Sequence, residues 1–135
     1  MAEPKTRKTT ASVKDFIAAV PDEQRRKDAT AVVKMMTEVT GEKAAMWGPS
    51  IIGFGSFKGP TGEWPIAAFS PRKTSLVIYL DPGFEKKQGD LLKRLGPHST
   101  GKVCLYVKRL PEVDAKVLRQ LVEKSVAQAR KRYPA

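Results

Sequence analysis

The sequence predicts an α+β fold in which an antiparallel sheet of about four to five strands carries N-terminal and C-terminal helices on one face. Apolar residues recur at helical spacing near both ends of the chain, whereas residues 47–107 contain β-branched and aromatic runs separated by Gly and Pro. A block of strands between helices is typical of an antiparallel sheet with helices packed on one face. The length of 135 residues suits one compact domain. We assign residues 11–135 to this domain and residues 1–10 to a flexible basic tail.

Two helices are predicted in the N-terminal part of the chain. Ser12, followed three residues later by Asp15, has the spacing of a capping box and begins a short first helix. A second helix begins at Pro21-Asp22-Glu23, where proline suits a first turn and the acids suit the helix dipole. Gly41 ends this helix as a C-cap. Its apolar stripe consists of Ala29, Val32, Val33, Met36 and Val39.

The C-terminal half of the chain contains two further helix patterns. The sequence predicts a short helix over residues 90–95, which ends at Gly96-Pro97. After Pro111, residues 114–131 form the strongest helical pattern of the sequence. Its apolar stripe consists of Val117, Leu118, Leu121, Val122, Val126 and Ala129.

Four strands are predicted between these helices, at about 50–57, 64–70, 74–80 and 102–108. Glycine and proline in the loop Lys58–Gly62 indicate a hairpin between the first two strands, and Pro71 indicates a turn between the next two. Side chains alternate between the two faces of a strand. In the last strand, this alternation predicts Val103, Leu105 and Val107 on the core face. The other face then holds Lys102, Cys104, Tyr106 and Lys108.

Composition argues against a membrane or disulfide-stabilised protein. No apolar run approaches the ~20 residues that a membrane-spanning helix requires. The N-terminal residues lack the apolar core of a secretory signal. The single cysteine, Cys104, cannot form an internal disulfide, which fits a reducing compartment. We therefore expect a cytoplasmic protein with no membrane partner.

The net charge of +11 is the strongest compositional deviation. Residues 11–70 are balanced, whereas residues 71–100 carry +3 and residues 101–135 carry +6. Such an excess raises the local concentration of anions and favours an anionic small molecule, an acidic protein or a nucleic acid as partner. A surface that only keeps the protein soluble would have the same composition.

If two polar loops come together at one rim of the sheet, we expect a binding site there. One loop precedes the last strand, and the other is the turn at residues 70–74. Their cations, hydroxyls and backbone N–H groups would suit a phosphate or a carboxylate. The candidate ligand-binding residues are Trp47, Arg72, Lys73, His98, Thr100, Lys102 and Cys104. The alternative is a pair of solvated loops beside a core tryptophan.

The residues give less support to catalysis, a metal or a cofactor. Cys104 and His98 could supply a nucleophile and a base, but no orienting partner or oxyanion hole is recognisable. His98 has no second soft ligand at zinc spacing. The glycine-containing stretches Gly53–Gly59 and Thr100–Val103 depart from the dinucleotide and P-loop patterns and lead into strands. We therefore favour a binding module with no catalytic residue, metal or cofactor.

Several sequence blocks resemble those of a known family and occur in the same order. They are Met46–Gly55, Gly62-Glu63-Trp64-Pro65, Phe69–Lys73, Leu95–Lys102 and Cys104-Leu105-Tyr106. Over roughly residues 11–128 the chain resembles the YdhG-like family, a domain of unknown function (number 1801). The resemblance implies a frataxin-like layout of helices and sheet. Some members are described as frataxin-like iron chaperones, so it also implies iron binding as an alternative function.

Iron binding would depend on clustered exposed carboxylates, because hard cations prefer oxygen ligands. Four acids lie in the two N-terminal helices, but the basic run Arg25-Arg26-Lys27 interrupts them. The alternative is that these acids stabilise the starts of the helices. The four acids are Asp15, Asp22, Glu23 and Asp28.

Nucleic-acid binding is a second alternative function. Basic residues near Tyr106, with Phe and Trp on neighbouring strands, could form a stacking platform with phosphate contacts. The RNA-recognition signature, a helix-turn-helix and a zinc finger are all absent from the sequence. The basic end of the last helix suits its dipole whether or not nucleic acid binds.

Overall fold

The computed structural model confirms the α+β fold, and it describes residues 8–59 and 62–133. The described helices are α1 Val13–Ala18, α2 Glu23–Thr40, α3 Phe84–Lys87, α4 Gly89–Leu95 and α5 Ala115–Arg132, with a 3₁₀ helix at Leu110–Glu112. The described strands are β1 Ala44–Trp47, β2 Ile51–Phe54, β3 Phe57–Gly59, β4 Gly62–Trp64, β5 Ala67–Pro71, β6 Leu76–Tyr79, β7 Ser99–Thr100 and β8 Cys104–Val107.

Six of these strands form one antiparallel sheet in the order β1-β2-β5-β6-β8-β7. The remaining two, β3 and β4, pair only with each other and form a separate hairpin. Residues 60–61, at the tip of this hairpin and of the predicted loop, lie outside the described residues. The sheet thus has two edge strands, β1 and β7, beyond the four strands that the sequence predicts.

The predicted helix ends are confirmed. The Ser12 hydroxyl accepts a hydrogen bond from the Asp15 backbone N–H at 3.1 Å, as a helix cap should. Asp22 caps α2 in the same way, and Gly41 ends it with φ of 72°, a conformation that glycine adopts without strain. The Asp114 carboxylate caps α5 by accepting from two backbone N–H groups.

The helices cover one face of the sheet, and the core lies between them. On the strands, the side chains that face the helices are those expected from alternation, such as Ile52, Phe69, Ile78 and Leu105, all 0% exposed. The predicted stripes of α2 and α5 supply the other side of the core. Their fully buried members are Ala29, Val32, Met36, Val117, Leu118, Leu121, Val122 and Val126.

Three predictions about the strands are wrong in detail. The predicted strand 50–57 is divided at Gly55, where φ of 64° turns the chain out of the sheet. The predicted strand 64–70 is divided at Pro65, which has no N–H group to donate to a sheet. Val103 is 36% exposed rather than in the core, because residues 101–103 form a turn and β8 begins at Cys104.

The predicted tail, residues 1–10, lies mostly outside the described residues. Its described part runs beside the edge strand β1. Lys8 bridges to Trp47, and the Thr9 backbone N–H donates to the Met46 carbonyl oxygen at 2.8 Å.

Candidate functional site

The two polar loops of the sequence hypothesis lie at the same end of the sheet. Since Leu76 pairs with Val107 and Ser99 pairs with Tyr106, the β5–β6 turn and the segment before β7 are brought side by side. Together they line an open depression of about 610 Å³, which we call the rim depression. It is lined by Thr74, Ser75, Pro97, His98, Ser99, Tyr106, Lys108 and Glu112.

His98 is exposed at this rim, and its Nδ1 lies 2.8 Å from the Gly96 carbonyl oxygen. That bond needs a proton on Nδ1, so the neutral ring presents Nε2 as an acceptor. Lys108, which the site hypothesis did not include, is the cation that lines the same depression.

Of the seven candidate residues, His98 lines the rim depression and the other six do not. Three of these six lie in unrelated surroundings. Lys102 is in the β7–β8 turn, at the opposite end of the sheet from His98. Trp47 is 1% exposed, so its ring is buried and does not offer a flat wall to a ligand. Thr100 donates from its hydroxyl to Glu85 at 2.6 Å, which ties β7 to α3.

Arg72 and Lys73 lie in the β5–β6 turn but differ in role. The Lys73 backbone carbonyl accepts a hydrogen bond from Arg25 at 3.4 Å. The Arg72 guanidinium extends along the sheet face opposite the helices and donates to the Tyr79 hydroxyl at 3.1 Å. Along the sheet, Val77 lies between Arg72 and Tyr79, and it is buried on that face.

Cys104 is half-buried on the same face as Arg72, directly across from Tyr79. A hydrogen bond with the Cys104 side chain is the largest influence on Tyr106 and raises the pKa of this phenol above its ordinary value. The charge of Arg72 opposes that shift. Tyr106 therefore stays neutral through physiological pH. The sheet face opposite the helices thus groups one cation with two phenols and a thiol.

A second concave space lies next to this group, over the ends of β5 and β6. It is an apolar groove of about 490 Å³ between the β3–β4 hairpin, the sheet and the C-terminal end of α5. We call it the hairpin groove. Its lining includes Ile51, Phe57, Trp64, Pro65, Ala68, Tyr79, Val103, Ala129, Arg132 and Tyr133.

An aromatic stack closes the hairpin groove on one side. The rings of Phe57 and Tyr133 are parallel within 9°, with centroids 4.5 Å apart. This contact joins the hairpin to the residue that follows α5, and offset or parallel ring pairs at this distance are attractive beyond the area they bury.

The lining of the hairpin groove contains one charged pair, Asp81 with Arg132, and a further cation contacts one of its other lining residues. Asp81, 9% exposed, accepts from Arg132 at 2.9 Å and from Lys87 at 3.4 Å, so its negative charge is already matched. Tyr79 also lines the groove, and its hydroxyl accepts a hydrogen bond from Arg72, which does not itself line the groove. No carboxylate of the described chain forms an ion pair with Arg72, so this cation is uncompensated.

Two of the acids considered for iron binding are bonded to other groups of the chain. The Asp22 carboxylate caps α2, and Asp28 is 3% exposed. Asp28 accepts from the Gln24 side chain at 2.8 Å and from the Leu110 backbone N–H at 3.1 Å. Within residues 8–59 and 62–133, no group of three or more His, Cys, Asp or Glu side chains could hold a metal ion.

The sequence hypothesis missed the hairpin groove. Phe57 and Trp64 flank a turn, and the sequence pattern places them in strands of the main sheet. Nothing in the sequence marks Tyr133 as a site residue. The usable signal was Pro65, since a proline inside a strand pattern indicates that the strand ends there. That break would have separated the hairpin and its aromatic residues from the sheet.

Comparisons with known proteins leave the chain without an assigned relative. No protein-family model matches the sequence, and neither the curated proteins nor the solved structures contain a match. Among the helices of the described chain, none is long and apolar enough to cross a membrane.

Proposed function

We propose that this protein is a binding module for a small anionic ligand with an apolar, preferably aromatic, body. The body occupies the hairpin groove, and the anionic group contacts Arg72 and the Tyr79 hydroxyl. The observation that carries the proposal is the 3.1 Å contact between Arg72 and Tyr79, because Tyr79 lines the aromatic groove and Arg72 is an uncompensated cation.

The size and lining of the groove support a small molecule over an acidic protein. Ligand sites are typically concave spaces of about 300–1,000 Å³ with apolar and aromatic walls and a few polar groups. A groove of about 490 Å³ with Phe57, Trp64 and Tyr133 in its wall fits that description. An acidic protein would need a wider, more polar surface.

The pair of Arg72 and Tyr79 supports an anion at one end of the ligand. Because the Tyr79 oxygen accepts from Arg72, its own proton can be donated to another group. The guanidinium has further N–H groups, so the two side chains offer several donors to one carboxylate. Such charge-assisted hydrogen bonds are roughly twice as strong as neutral ones.

Thermal unfolding with matched probes tests this function. We expect 1-naphthoate to raise the melting temperature, and the neutral 1-naphthamide to raise it less. A ligand at 100 times its Kd stabilises the folded state by ~2.7 kcal/mol. Arg72→Gln should weaken naphthoate binding by about 10-fold or more, because it removes a charged donor. Arg94→Gln, on the exposed face of α4, makes the same change in net charge and serves as the control.

The two variants separate a site from a general charge effect. If Arg94→Gln weakens naphthoate binding as much as Arg72→Gln, the ligand responds to net charge and the assignment to Arg72 fails. If naphthoate and naphthamide bind equally to the wild type, the proposal that the ligand carries an anionic group is wrong. Trp64→Ala, which removes part of the groove wall, should weaken binding of both probes.

The family assignment remains a proposal that rests on the sequence blocks shared with the YdhG-like family. Its iron-binding alternative has no support from the positions of Asp22 and Asp28, whose carboxylates bond to groups of their own chain. A cytoplasmic location is likewise a proposal that rests on the composition.

A further inference from the structure

We propose that the sheet face opposite the helices also binds single-stranded nucleic acid, with Tyr79 and Tyr106 as stacking rings. This surface, here the tyrosine platform, comprises Arg72, Tyr79, Ser99, Tyr106 and Lys108. It extends from the end of the hairpin groove, which Tyr79 lines, to the rim depression, which Tyr106 and Lys108 line. The proposal goes beyond the small-ligand function: it shares Arg72 and Tyr79 with that site and adds Ser99, Tyr106 and Lys108, which do not line the groove.

The strand register places the two rings as neighbours. Tyr79 pairs with Cys104 and Val77 pairs with Tyr106, so the two tyrosines are diagonal neighbours on adjacent strands and on one face. Such positions are roughly 7–8 Å apart, within reach of aromatic side chains. Both tyrosines are half-buried, which leaves part of each ring open to a ligand. Two bases of an extended strand could therefore lie on separate rings.

The groups around the rings suit phosphate and sugar. Arg72 lies near both tyrosines, since it bonds to Tyr79 and its charge acts on Tyr106. Lys108 and Ser99 are exposed at the rim end of the same surface. Arginine can both pair with a phosphate and lie flat against a base. The tyrosine platform thus combines stacking rings with donors, as non-specific single-strand binders do.

Charge complementarity favours a polyanion over a second copy of this chain. Within the described residues, neither Arg72 nor Lys108 is in an ion pair. Glu112 is the acid that lines the rim depression. A chain with net charge +11 would repel its own copy at such a surface. An acidic protein would satisfy the cations but would leave the two rings without a stacking partner.

Fluorescence anisotropy with two labelled ten-nucleotide strands tests the proposal. One strand is oligothymidine, and the other has the same backbone but lacks bases. We expect Tyr106→Leu to weaken binding of oligothymidine about 5- to 150-fold, the range for losing one stacked base. Binding of the abasic strand should change little, because its phosphates do not stack. Tyr106→Phe keeps the ring and should retain oligothymidine binding.

The salt dependence tests the cationic part of the platform. For single strands, the slope of log affinity against log salt is about −0.7 per phosphate contact. Lys108→Gln should therefore make the slope shallower by about 0.7. Lys34→Gln, on the exposed face of α2, changes the net charge equally and should leave the slope unchanged.

Two results would overturn the proposal. In the first, Tyr106→Leu weakens binding of the abasic strand as much as binding of oligothymidine, or it weakens binding of neither strand. In the second, polyglutamate competes with oligothymidine at equal charge concentration, which would indicate an acidic protein as the partner. Neither Tyr106 nor Lys108 lines the hairpin groove, so failure here leaves the naphthoate experiment unaffected.

Discussion

The indole ring of Trp47 covers Gly53 on the sheet face opposite the helices. A Cβ atom on Gly53 would lie 2.5 Å from Trp47 Cδ1 and 2.8 Å from Pro65 Cβ. Real Cβ atoms do not approach other atoms so closely, so any side chain at position 53 must displace the ring or the proline. Trp47 is 1% exposed and has little space into which it can move.

Gly53→Ala should therefore destabilise the fold. Overpacking a well-filled interior typically costs about 1–3 kcal/mol. Urea unfolding followed by tryptophan fluorescence measures the loss. Gly89→Ala is the matched control, because a Cβ at Gly89, the first residue of α4, meets nothing within 4 Å. That variant should be neutral or slightly more stable, since alanine is the better helix former. Equal losses in the two variants would contradict the close packing at Gly53.

The sequence predicts the helices well because their ends depend on local chemistry. Ser12 lies three residues before the N–H group that it caps, and Gly41 ends α2 through its own backbone conformation. The close packing of a glycine against Trp47 was also predictable, since isolated glycines in strands indicate a close approach. Such signals need no knowledge of the rest of the fold.

The edge strands and the groove depend on residues far apart in the chain, and the sequence does not show them. Strand β7 is two residues long and exists because Ser99 pairs with Tyr106. The groove depends on the stack of Phe57 with Tyr133, from the hairpin and the end of α5. The site hypothesis depends on the two loops meeting at the rim. The sequence does not predict that meeting, because nothing local fixes which end of the sheet each loop occupies.

Arg25 joins α2 to two loops and should be important for stability. It is 9% exposed, and its guanidinium donates to the Lys108 carbonyl at 2.5 Å and to the Lys73 carbonyl at 3.4 Å. Arg25→Met would leave both carbonyls without this donor. We expect a loss of about 1.5–3 kcal/mol in the free energy of unfolding, because the two partly buried hydrogen bonds come from a charged donor.

Lys27→Met is the control for Arg25→Met, because the lysine is a neighbouring cation of the same helix. Its side chain is 69% exposed, and its ion pair with Glu23, at 3.6 Å, is on the surface. Such a substitution should change stability by less than about 0.5 kcal/mol. If both variants lose equal stability in urea unfolding, the loss reflects charge or helix propensity rather than the two carbonyl contacts.

The stack of Phe57 and Tyr133 should couple the hairpin to α5. We expect the two alanine variants to be non-additive, with a coupling of about 0.5–1.5 kcal/mol in a double-mutant cycle. Urea unfolding of the wild type, Phe57→Ala, Tyr133→Ala and the double variant gives this value. Tyr133→Phe keeps the ring and should behave as the wild type. Additive losses would mean that the rings lie side by side without stabilising each other.

The ion pair between Glu38 and Arg119 joins α2 to α5 and should make stability depend on pH. Arg119 donates to the Glu38 carboxylate at 2.8 Å, and this hydrogen bond is the main cause that lowers the pKa of Glu38 below its usual 4.5. A carboxyl whose pKa is lower in the folded state stabilises the fold above its unfolded pKa. That contribution is lost as the pH falls through the lower, folded pKa.

Arg119→Gln should therefore lower the melting temperature at pH 7, and the difference from the wild type should shrink as the pH falls below about 4. The effect should be small and should weaken in 1 M salt, because both side chains are nearly half-exposed and solvent screens the pair. Lys124→Gln, an exposed cation of the same helix, controls for net charge. A difference between Arg119→Gln and the wild type that stays constant from pH 7 to pH 3 would show that Arg119 acts through packing of its aliphatic stem, not through Glu38.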